Sequence, residues 1–284
     1  MKNLLRALVY DGQVSLTLID TTQIVAEGIK LHKLSPASGY VFGKALSAMS
    51  FMSACLKEDS GEISLSLKTD GACGEIAVSG NRALRMRGYI LNTNMAGAAG
   101  AQAEQAALGG NGSLTIIRDD GYSRPFVGAC ALPENGGVDQ AFEEYYRISE
   151  QLPTYIATEV KMDEDTCVFA GAAVLQPLPF ADEATLQKVR AFDLKALLAE
   201  LETSDVEQTA SAHFAKQDSV WETRRAVYKC NCSRRYLTRV LVSLGEEQLR
   251  AIIKEEGAAR IHCHYCNTDY EFTDKDADEL FRDK

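Results

Sequence analysis

Four cysteines in the last quarter of the chain form two close pairs of a kind that binds metal ions. Cys230 and Cys232 lie in the segment KCNC, and Cys263 and Cys266 lie in HCHYC. Tetrahedral zinc needs four ligands, and two close pairs on separate segments supply four thiolates with little backbone strain. We therefore predict one zinc ion bound by these four sulfurs. The alternative is that the four cysteines are unrelated thiols.

The residues around the C-x-x-C pair leave a second ligand set open and disfavour a thioredoxin-like site. His262 and His264 flank Cys263 and could replace a sulfur ligand. A thioredoxin-like motif opens a helix after a strand, whereas the segment NTDYEF after Cys266 favours a turn and a strand. Four further cysteines stand singly in apolar or strand-like contexts and are predicted to be core residues: Cys55, Cys73, Cys130 and Cys167.

Two helices and a hairpin are predicted to bring the two cysteine pairs together. Ser233 can cap a helix that ends near Gly245. The apolar residues of this helix recur at intervals of three and four, and they are Tyr236, Leu237, Val240 and Leu241. A second helix, EEQLRAIIKEE, stops at Gly257, and ARIHCHYCNTDYEF then supplies two strand-like arms around the C-x-x-C. Folding of this hairpin back on itself could bring all four sulfurs together.

A module of this size is expected to depend on its metal. Residues 229–284 number roughly 55, and so small a hydrophobic core contributes only a few kcal/mol to folding. Structural zinc can supply an apparent ~10 to 16 kcal/mol, which is folding free energy when the metal-free site is unfolded. Oxidants can join two cysteines in contact through a sulfenic acid and so eject the zinc. The residues alone leave open whether the site is an inert staple or a switch that turns oxidation into unfolding.

The chain as a whole is predicted to be an α+β protein in three parts. Residues 1–178 alternate strand-like and helix-like runs, with strands predicted at 13–20 and 62–69, and should form an N-terminal mixed α/β core domain with a largely antiparallel sheet. The proline-containing segment LQPLPFADEATLQ marks the end of this domain. Residues 179–228 are predicted to form a helical linker, and residues 229–284 a small C-terminal zinc-binding domain.

Three segments carry predictions about packing. Ser35 and Pro36 are predicted to open a long apolar helix that ends near Lys57 and is buried in the core. Residues 92–112 are rich in Ala and Gly and are predicted to form an exposed loop with a short helical turn, without a phosphate-binding glycine pattern. The linker segment TSDVEQTASAHFAKQDSVWETRR is polar, so the linker is predicted to be only weakly anchored.

Composition narrows the classes of function. The net charge of −10 argues against a nucleic-acid binder, because such affinity depends on clustered Lys and Arg that neutralise phosphates. No run of eighteen apolar residues without charge is present, so no membrane partner is expected. The N-terminal segment MKNLLRALVYDGQ predicts no signal peptide, and the cytoplasm is the expected compartment. Glutathione keeps cytosolic thiols reduced, which favours metal ligands or redox elements over structural disulfides.

Two further classes of function could use the four cysteines differently. A zinc-ribbon-like module that binds nucleic acid or protein could use Arg234, Arg235 and Arg239, but several glutamates stand close to them in the sequence. An enzyme that uses zinc as a Lewis acid would need an open coordination position, and four thiolates leave none. The chain also contains neither an H-E-x-x-H nor a G-x-S-x-G motif, so no enzyme activity is expected.

Long segments of the chain resemble a known family. The C-terminal resemblance lies in YKCNCSRRYLTRVLVSLGEEQLRAIIKEEG and HCHYCNTDYEF, and the N-terminal part adds LLRALVYDGQV, HKLSPASGYVFGKALSA, RMRGYI, GNGSLTIIRD and ISEQLP in family order. On these segments the chain resembles the heat-shock protein 33 family of redox-regulated holdase chaperones over nearly its whole length. It departs from the family pattern in the polar linker and in residues 92–112.

The resemblance implies a mechanism as well as a fold. The reduced protein would be inactive and would hold one zinc ion through Cys230, Cys232, Cys263 and Cys266. Oxidative stress would join Cys230 to Cys232 and Cys263 to Cys266, release the zinc, and unfold the zinc-binding domain and the linker. The active form, which is typically a homodimer in the family, would bind unfolding client proteins without ATP.

Overall fold

A computed structural model describes residues 2–214 and 221–282. Contacts along the chain divide it into two compact units, Met1–Lys229 and Cys230–Lys284. Part of the predicted linker, residues 215–220, lies outside the described residues. The three-part division at 178 and 228 stays a prediction.

The larger unit contains two β-sheets. Its strands, in chain order, are β1 (Leu4–Val9), β2 (Val14–Asp20), β3 (Glu62–Thr69), β4 (Glu75–Asn81), β5 (Arg85–Ile90), β6 (Gly112–Asp119), β7 (Phe126–Ala131), β8 (Tyr155–Asp163), β9 (Thr166–Pro177), β10 (Trp221–Arg224) and β11 (Val227–Tyr228). The first sheet has the order β10-β1-β2-β9-β8 and is antiparallel throughout. The second has the order β11-β5-β4-β3-β6-β7 and is antiparallel except for the parallel pair of β11 with β5. The predicted α+β class with largely antiparallel pairing is confirmed.

Helices cover the sheets and link them. In the larger unit they are α1 (Thr22–His32), α2 (Pro36–Ala54), α3 (Ala101–Leu108), α4 (Val138–Tyr145), a short π-helix (Tyr146–Glu150), α5 (Glu183–Ala191), α6 (Leu194–Leu201) and α7 (Val206–His213). In the smaller unit they are α8 (Arg234–Leu244), α9 (Glu246–Glu256) and α10 (Asp274–Phe281), with a hairpin of β12 (Ala259–Cys263) and β13 (Thr268–Phe272) before α10.

Helix α2 is the central element of the larger unit. It begins as predicted, with Ser35 as its cap and Pro36 in its first turn, and every residue from Ala37 to Ala54 is buried. It contacts strands of both sheets. Gly43 allows α2 to approach α1 and β8 closely, because a Cβ there would lie 2.7 Å from Val25 in α1 and 3.0 Å from Val160 in β8. The predicted buried core helix is confirmed, and no helix within the ranges 2–214 and 221–282 is long and apolar enough to cross a membrane.

The first part of the predicted linker is firmly packed, contrary to expectation. Helices α5, α6 and α7 begin at the aspartates Asp182, Asp193 and Asp205, whose side chains accept hydrogen bonds from backbone N–H groups of the first turn. Their apolar side chains cover one face of the first sheet: Val189, Leu194, Leu197, Leu198, Leu201, Val206, Ala210 and Phe214. The weak-anchoring prediction was wrong for α5–α7, because most of their polar side chains lie on the outer side of the helices and their apolar side chains face the sheet.

The segment 92–112 is also more ordered than predicted. It contains α3, which spans two turns rather than one and buries Ala103, Ala107 and Leu108. Glu104 in this helix is buried as well, and one of its carboxylate oxygens lies 2.9 Å from the Lys44 ammonium nitrogen of α2. The Ala-rich composition therefore serves close packing against α2, and only the flanking residues form an exposed loop.

A strap, defined as residues 221–229, runs across the edges of both sheets. Its first half is β10, which pairs with β1, and its second half contains β11, which pairs with β5. The backbone N–H of Lys229 donates to the carbonyl oxygen of Met86 at 2.7 Å. The next residue in the chain is Cys230, so the strap ends where the smaller unit begins.

The smaller unit has a core of few side chains. Its buried apolar residues in the described range are Leu237, Leu241, Leu249, Ile253, Ala258, Ala259, Phe272 and Ala277. The predicted helix after Ser233, the helix ending at Gly257 and the hairpin around the C-x-x-C are all confirmed. Of the apolar residues predicted for the first helix, Leu237 and Leu241 are buried, whereas Tyr236 and Val240 are exposed.

Candidate metal centre

The two cysteine pairs reach one place from different elements. Cys230 and Cys232 lie between the strap and α8, and Ser233 caps α8 by accepting a hydrogen bond from the Tyr236 N–H at 3.1 Å. Cys263 is the last residue of β12, and Cys266 lies in the turn that leads to β13. The turn is closed by a hydrogen bond from the Cys266 N–H to the Cys263 carbonyl oxygen at 3.2 Å.

The four sulfurs form one cluster of metal-binding size. All four Sγ atoms lie within 4.8 Å of one another, and none is in a disulfide. The Cys230 and Cys263 sulfurs are 3.8 Å apart, and those of Cys232 and Cys266 are 3.0 Å apart. Zinc–sulfur bonds of ~2.3 Å in tetrahedral geometry put sulfurs about 3.8 Å apart, so the donor set fits zinc after a small separation of the closer pair.

Protonation distinguishes the four thiols. Burial raises the pKa of the Cys230 thiol to about 11, and burial likewise raises the pKa of Cys266. Burial alone would also raise the pKa of Cys232, but hydrogen bonds with Tyr270 and the neighbouring cysteines outweigh it and hold that pKa below its ordinary value. Because a metal must displace the protons of its thiol ligands, binding at this cluster is expected to tighten as pH rises.

Tyr270 provides a hydrogen bond to one sulfur of the cluster. Its hydroxyl oxygen lies 3.2 Å from the Cys232 sulfur. Tyr270 pairs with Ile261 across the hairpin, and its ring packs against the small core of the unit. The hydrogen bond to Cys232 raises the pKa of the Tyr270 phenol. Groups of this kind orient metal ligands and tune their reactivity.

We expect Tyr270→Phe to make Cys232 more reactive and to weaken zinc binding by about fivefold, because the phenol no longer donates to the sulfur. The measurement is site-resolved alkylation of the zinc-loaded protein by mass spectrometry, together with zinc transfer to a colorimetric chelator. Tyr236→Phe is a matched control, since Tyr236 is an exposed phenol on α8. Equal alkylation of Cys232 in the two variants would contradict a direct role for Tyr270.

The two histidines stand outside the four-sulfur cluster. The Nδ1 atom of His262 lies 2.7 Å from a carboxylate oxygen of Asp269, and the ring of His264 faces that of His262 at 4.9 Å between centroids. In the described part of the chain, the cysteines alone form the group able to hold a metal. The geometry therefore favours four sulfur ligands over a set that includes a histidine.

The other four cysteines lie in the larger unit. Cys73, Cys130 and Cys167 are buried, and Cys55 is half-buried. Burial raises the pKa of Cys130 to about 11 and that of Cys167 to about 12. These thiols are core residues, as predicted, and their protonated form is favoured.

Comparison with known proteins assigns the chain to a family. The family model described as Hsp33 protein matches residues 2–273. The chain belongs to the Hsp33 family. A 33 kDa chaperonin from Clostridium novyi (strain NT) is 32% identical over 287 residues, which cover 98% of this chain and 97% of the relative. A 33 kDa chaperonin from Bacillus cereus (strain AH187) is 29% identical over 285 residues, with coverage of 98% and 97%.

A solved structure shares the Hsp33 fold. The crystal structure of a 33 kDa chaperonin, a heat shock protein 33 homologue from Thermotoga maritima, aligns with a TM-score of 0.83. The alignment covers 99% of this chain and 98% of the other at 22% identity, so it concerns the fold alone. The family resemblance stated from the sequence segments is thus confirmed across the chain.

Two features near the cluster escaped the sequence analysis. Tyr270 was read only as part of a strand, and its position opposite Ile261 with its hydroxyl beside Cys232 depends on the hairpin register. The strap was read as the end of a polar linker, because four- and two-residue strands carry too few positions to show an alternating pattern. The two close cysteine pairs were the strongest sequence signal for the cluster, and all four of the cysteines predicted as ligands lie in it.

Proposed function

We propose that this chain is a redox-regulated, ATP-independent holdase that binds unfolding proteins under oxidative stress. The observation that carries the proposal is the convergence of four free thiols within 4.8 Å in a unit whose own core is small. Membership of the Hsp33 family and the chaperonin names of its relatives support the chaperone role. The proposal includes action in the cytoplasm, a homodimeric oxidised form and the absence of enzyme activity.

The reduced state of the proposed switch holds one zinc ion through Cys230, Cys232, Cys263 and Cys266. Zinc bound there cross-links the unit of roughly 55 residues and adds folding free energy that its small hydrophobic core does not supply. Arg234, the second residue after the C-x-C pair, adds to the same fold: it stacks on Phe272 and forms an ion pair with Asp276. Both the metal site and these contacts join the start of the unit to its end.

Oxidation is proposed to proceed on the sulfurs themselves. One thiolate attacks a peroxide oxygen, the O–O bond breaks, and a sulfenic acid and one water are left after proton uptake. A second thiolate attacks that sulfur, the S–O bond breaks, and a second water leaves with formation of the disulfide. Each pair loses two electrons to one peroxide. We propose Cys230 with Cys232 and Cys263 with Cys266 as the pairs, after which no thiolate ligand remains.

Client-binding surface in the larger unit is proposed to come from beneath the linker. Helix α6 presses four leucines onto the first sheet, Leu194, Leu197, Leu198 and Leu201, each nearly inaccessible to solvent. Burial of one such side chain stabilises folding by about 1.5 to 3 kcal/mol. Release of α5–α7 would therefore expose an apolar sheet face that binds unfolded chains. This face stays covered as long as α5–α7 remain packed on the first sheet.

The zinc-ribbon alternative receives less support from the basic residues that suggested it. Arg234 donates to the Glu271 carbonyl oxygen at 2.7 Å and pairs with Asp276, and the Arg239 guanidinium lies over the Tyr236 ring at 5.9 Å. Arg234 is thus engaged in contacts within the unit, which favours a structural role for it. Nucleic acid is accordingly not among the proposed partners.

The test combines zinc release, client protection and disulfide mapping. Peroxide at mild heat should release the zinc, and the same samples should suppress light scattering by a thermally unfolding client protein. Trypsin should then give the peptides 230–234 and 261–275, each two hydrogens lighter and not joined to the other. Sulfurs of the two segments also lie 3.0 and 3.8 Å apart, so a cross-linked peptide pair is the result that would replace the proposed pairing.

Two controls make the outcome decisive. Cys55→Ala removes a half-buried thiol outside the cluster and should leave zinc release and client protection unchanged. Reduction in the presence of zinc should restore the inactive form. Zinc that stays bound, or that leaves without any suppression of scattering, would overturn the proposal. Client protection by the reduced protein equal to that of the oxidised protein would do the same.

A further inference from the structure

The strap is held to the two sheets mainly through its backbone. Besides the ladder of β10 with β1, the Val227 N–H donates to the Leu84 carbonyl oxygen at 2.9 Å, and the Lys229 N–H donates to that of Met86 at 2.7 Å. Asn3 clamps Ala226 from both sides: its side-chain oxygen accepts from the Ala226 N–H at 2.8 Å, and its amide nitrogen donates to the Ala226 carbonyl at 3.2 Å. The two sheets and Asn3 therefore bind the strap through its extended main chain.

Three side chains of the strap add apolar contacts to this backbone docking, since Ala226 lies in the core of the larger unit and Trp221 and Tyr228 pack against its apolar clusters. Of its nine residues, all of which the structure describes, Ala226 alone is buried, and the others are half-buried or exposed. Hydrogen bonds of strap side chains include one from Arg224 to the Arg82 carbonyl oxygen, and those of the Tyr228 hydroxyl with the Gly88 backbone and the His32 ring. The strap therefore docks through main-chain hydrogen bonds along its length, with only Glu222, Arg225 and Lys229 exposed.

Departure of the strap would create two open sheet edges. β10 is the outermost strand of the first sheet and β11 that of the second, so β1 and β5 would become edge strands. Their N–H and C=O groups would lose partners, and such edges bind extended chains. Apolar side chains that are inaccessible to solvent lie along both strands, among them Leu4, Leu5 and Met86.

We propose that the edges of β1 and β5, once vacated by the strap, bind extended segments of unfolded client proteins by strand addition. This inference rests on the proposed function, because the strap is continuous with Cys230 and is expected to detach when the smaller unit unfolds. The strap thus occupies its own client site in the reduced state. Main-chain hydrogen bonds give affinity in this mode and leave sequence selectivity low, as a holdase requires.

A peptide copy of the strap tests the proposal. The labelled peptide WETRRAVYK, residues 221–229, should bind the oxidised protein in fluorescence anisotropy and should bind the reduced, zinc-loaded protein far more weakly, because the edges are occupied there. N-methylation at Val227 and Lys229 removes the two N–H donors and should weaken binding by about tenfold. Methylation at Arg225, whose N–H has no partner in the described part of the chain, is the matched control and should change binding little.

Competition and hydrogen exchange identify the occupant. Bound peptide should displace a model client from the oxidised protein, and a bound client should slow amide exchange in Leu4–Val9 and Arg85–Ile90. Equal binding of the methylated and unmethylated peptides would overturn the proposal. So would a peptide that dissociates the dimer without displacing the client, since the edges would then bind a second copy of the chain.

These outcomes separate the two proposals. Zinc release with client protection, but without peptide binding or exchange protection at the two edges, would leave the switch intact and refute strand addition. Failure of peroxide to release zinc or to activate client protection would instead refute the proposed function itself.

Discussion

Cys266→Ser is expected to abolish tight zinc binding and to unfold residues 230–284. The substitution removes one of four sulfur donors and so forfeits much of the apparent ~10 to 16 kcal/mol that zinc can supply to a small domain. The eight buried apolar residues in the described part of this unit cannot replace that contribution. Loss of the fold should appear as rapid hydrogen exchange throughout α8, α9 and the β12–β13 hairpin. A chelator added to the unsubstituted protein should produce the same exchange pattern.

The larger unit should behave differently in the same experiment. Its strands and α2 have their own extensive core, so their amides should stay protected in Cys266→Ser. Cys55→Ala should bind zinc normally and keep the smaller unit protected. If residues 230–284 remain protected after zinc is gone, the unit is stabilised by its side-chain core, and metal loss cannot be the event that unfolds it.

Lys44→Met is expected to destabilise the larger unit by about 3 to 5 kcal/mol, the cost of leaving a buried charge without its partner. The Lys44 ammonium nitrogen lies 2.9 Å from Glu104 and 3.5 Å from Asp139, and all three side chains are about nine-tenths buried. The group joins α2, α3 and α4, and Asp139 also accepts hydrogen bonds from the hydroxyl and the N–H of Thr158 in β8. Removing the single cation leaves two carboxylates in apolar surroundings.

Urea unfolding monitored within the larger unit measures this loss. Lys30→Met, on the exposed side of α1, is the matched control and should change stability by no more than about 0.5 kcal/mol. The triple variant Lys44→Met, Glu104→Gln, Asp139→Asn should recover part of the loss, because it removes the unpaired charges. A Lys44→Met variant as stable as Lys30→Met would show that the ion group contributes nothing to folding.

The pH dependence of Lys44→Met follows from the same group. Burial raises the pKa of Asp139 even with Lys44 beside it, so the ionised carboxylate weighs against folding. A carboxyl whose pKa is raised in the folded state costs stability above that pKa and less as the pH falls through it. The loss caused by Lys44→Met should therefore shrink as the pH is lowered.

The four-sulfur cluster was largely predictable, because its determinants are local in sequence. Cysteine spacing, a Ser cap and two terminal glycines fix the elements around the cluster, and each acts within a few residues. Lys44 shows the opposite case. Its place in an apolar helix was visible, but its partner Glu104 is sixty residues away in a segment expected to be a loop. Long-range pairing of this kind leaves no periodic signal.

The misjudged linker has a related cause. The periodicity of a sequence shows which face of a helix is apolar. It does not show whether a distant part of the chain offers an apolar surface against which that face can pack. Leu194, Leu197 and Leu198 anchor α6 because the outer face of the first sheet is apolar along β2 and β9, which lie far away in sequence. Tyr236 and Val240 illustrate the reverse error, since they share the apolar pattern of α8 but find no surface within their small unit and remain exposed.

No residue separates the end of the strap from the first cysteine of the cluster. Lys229 is hydrogen-bonded to Met86, and Cys230 follows it directly. Consecutive Cα atoms are separated by ~3.8 Å, so the Cα atom of Cys230 stays at that distance from the Cα atom of Lys229 while Lys229 keeps its hydrogen bond. Thermal motion of the smaller unit, once it is unfolded, would therefore act first on the hydrogen bond between Lys229 and Met86 at the end of β11. The strap would then detach progressively from its last residue and not in a single step.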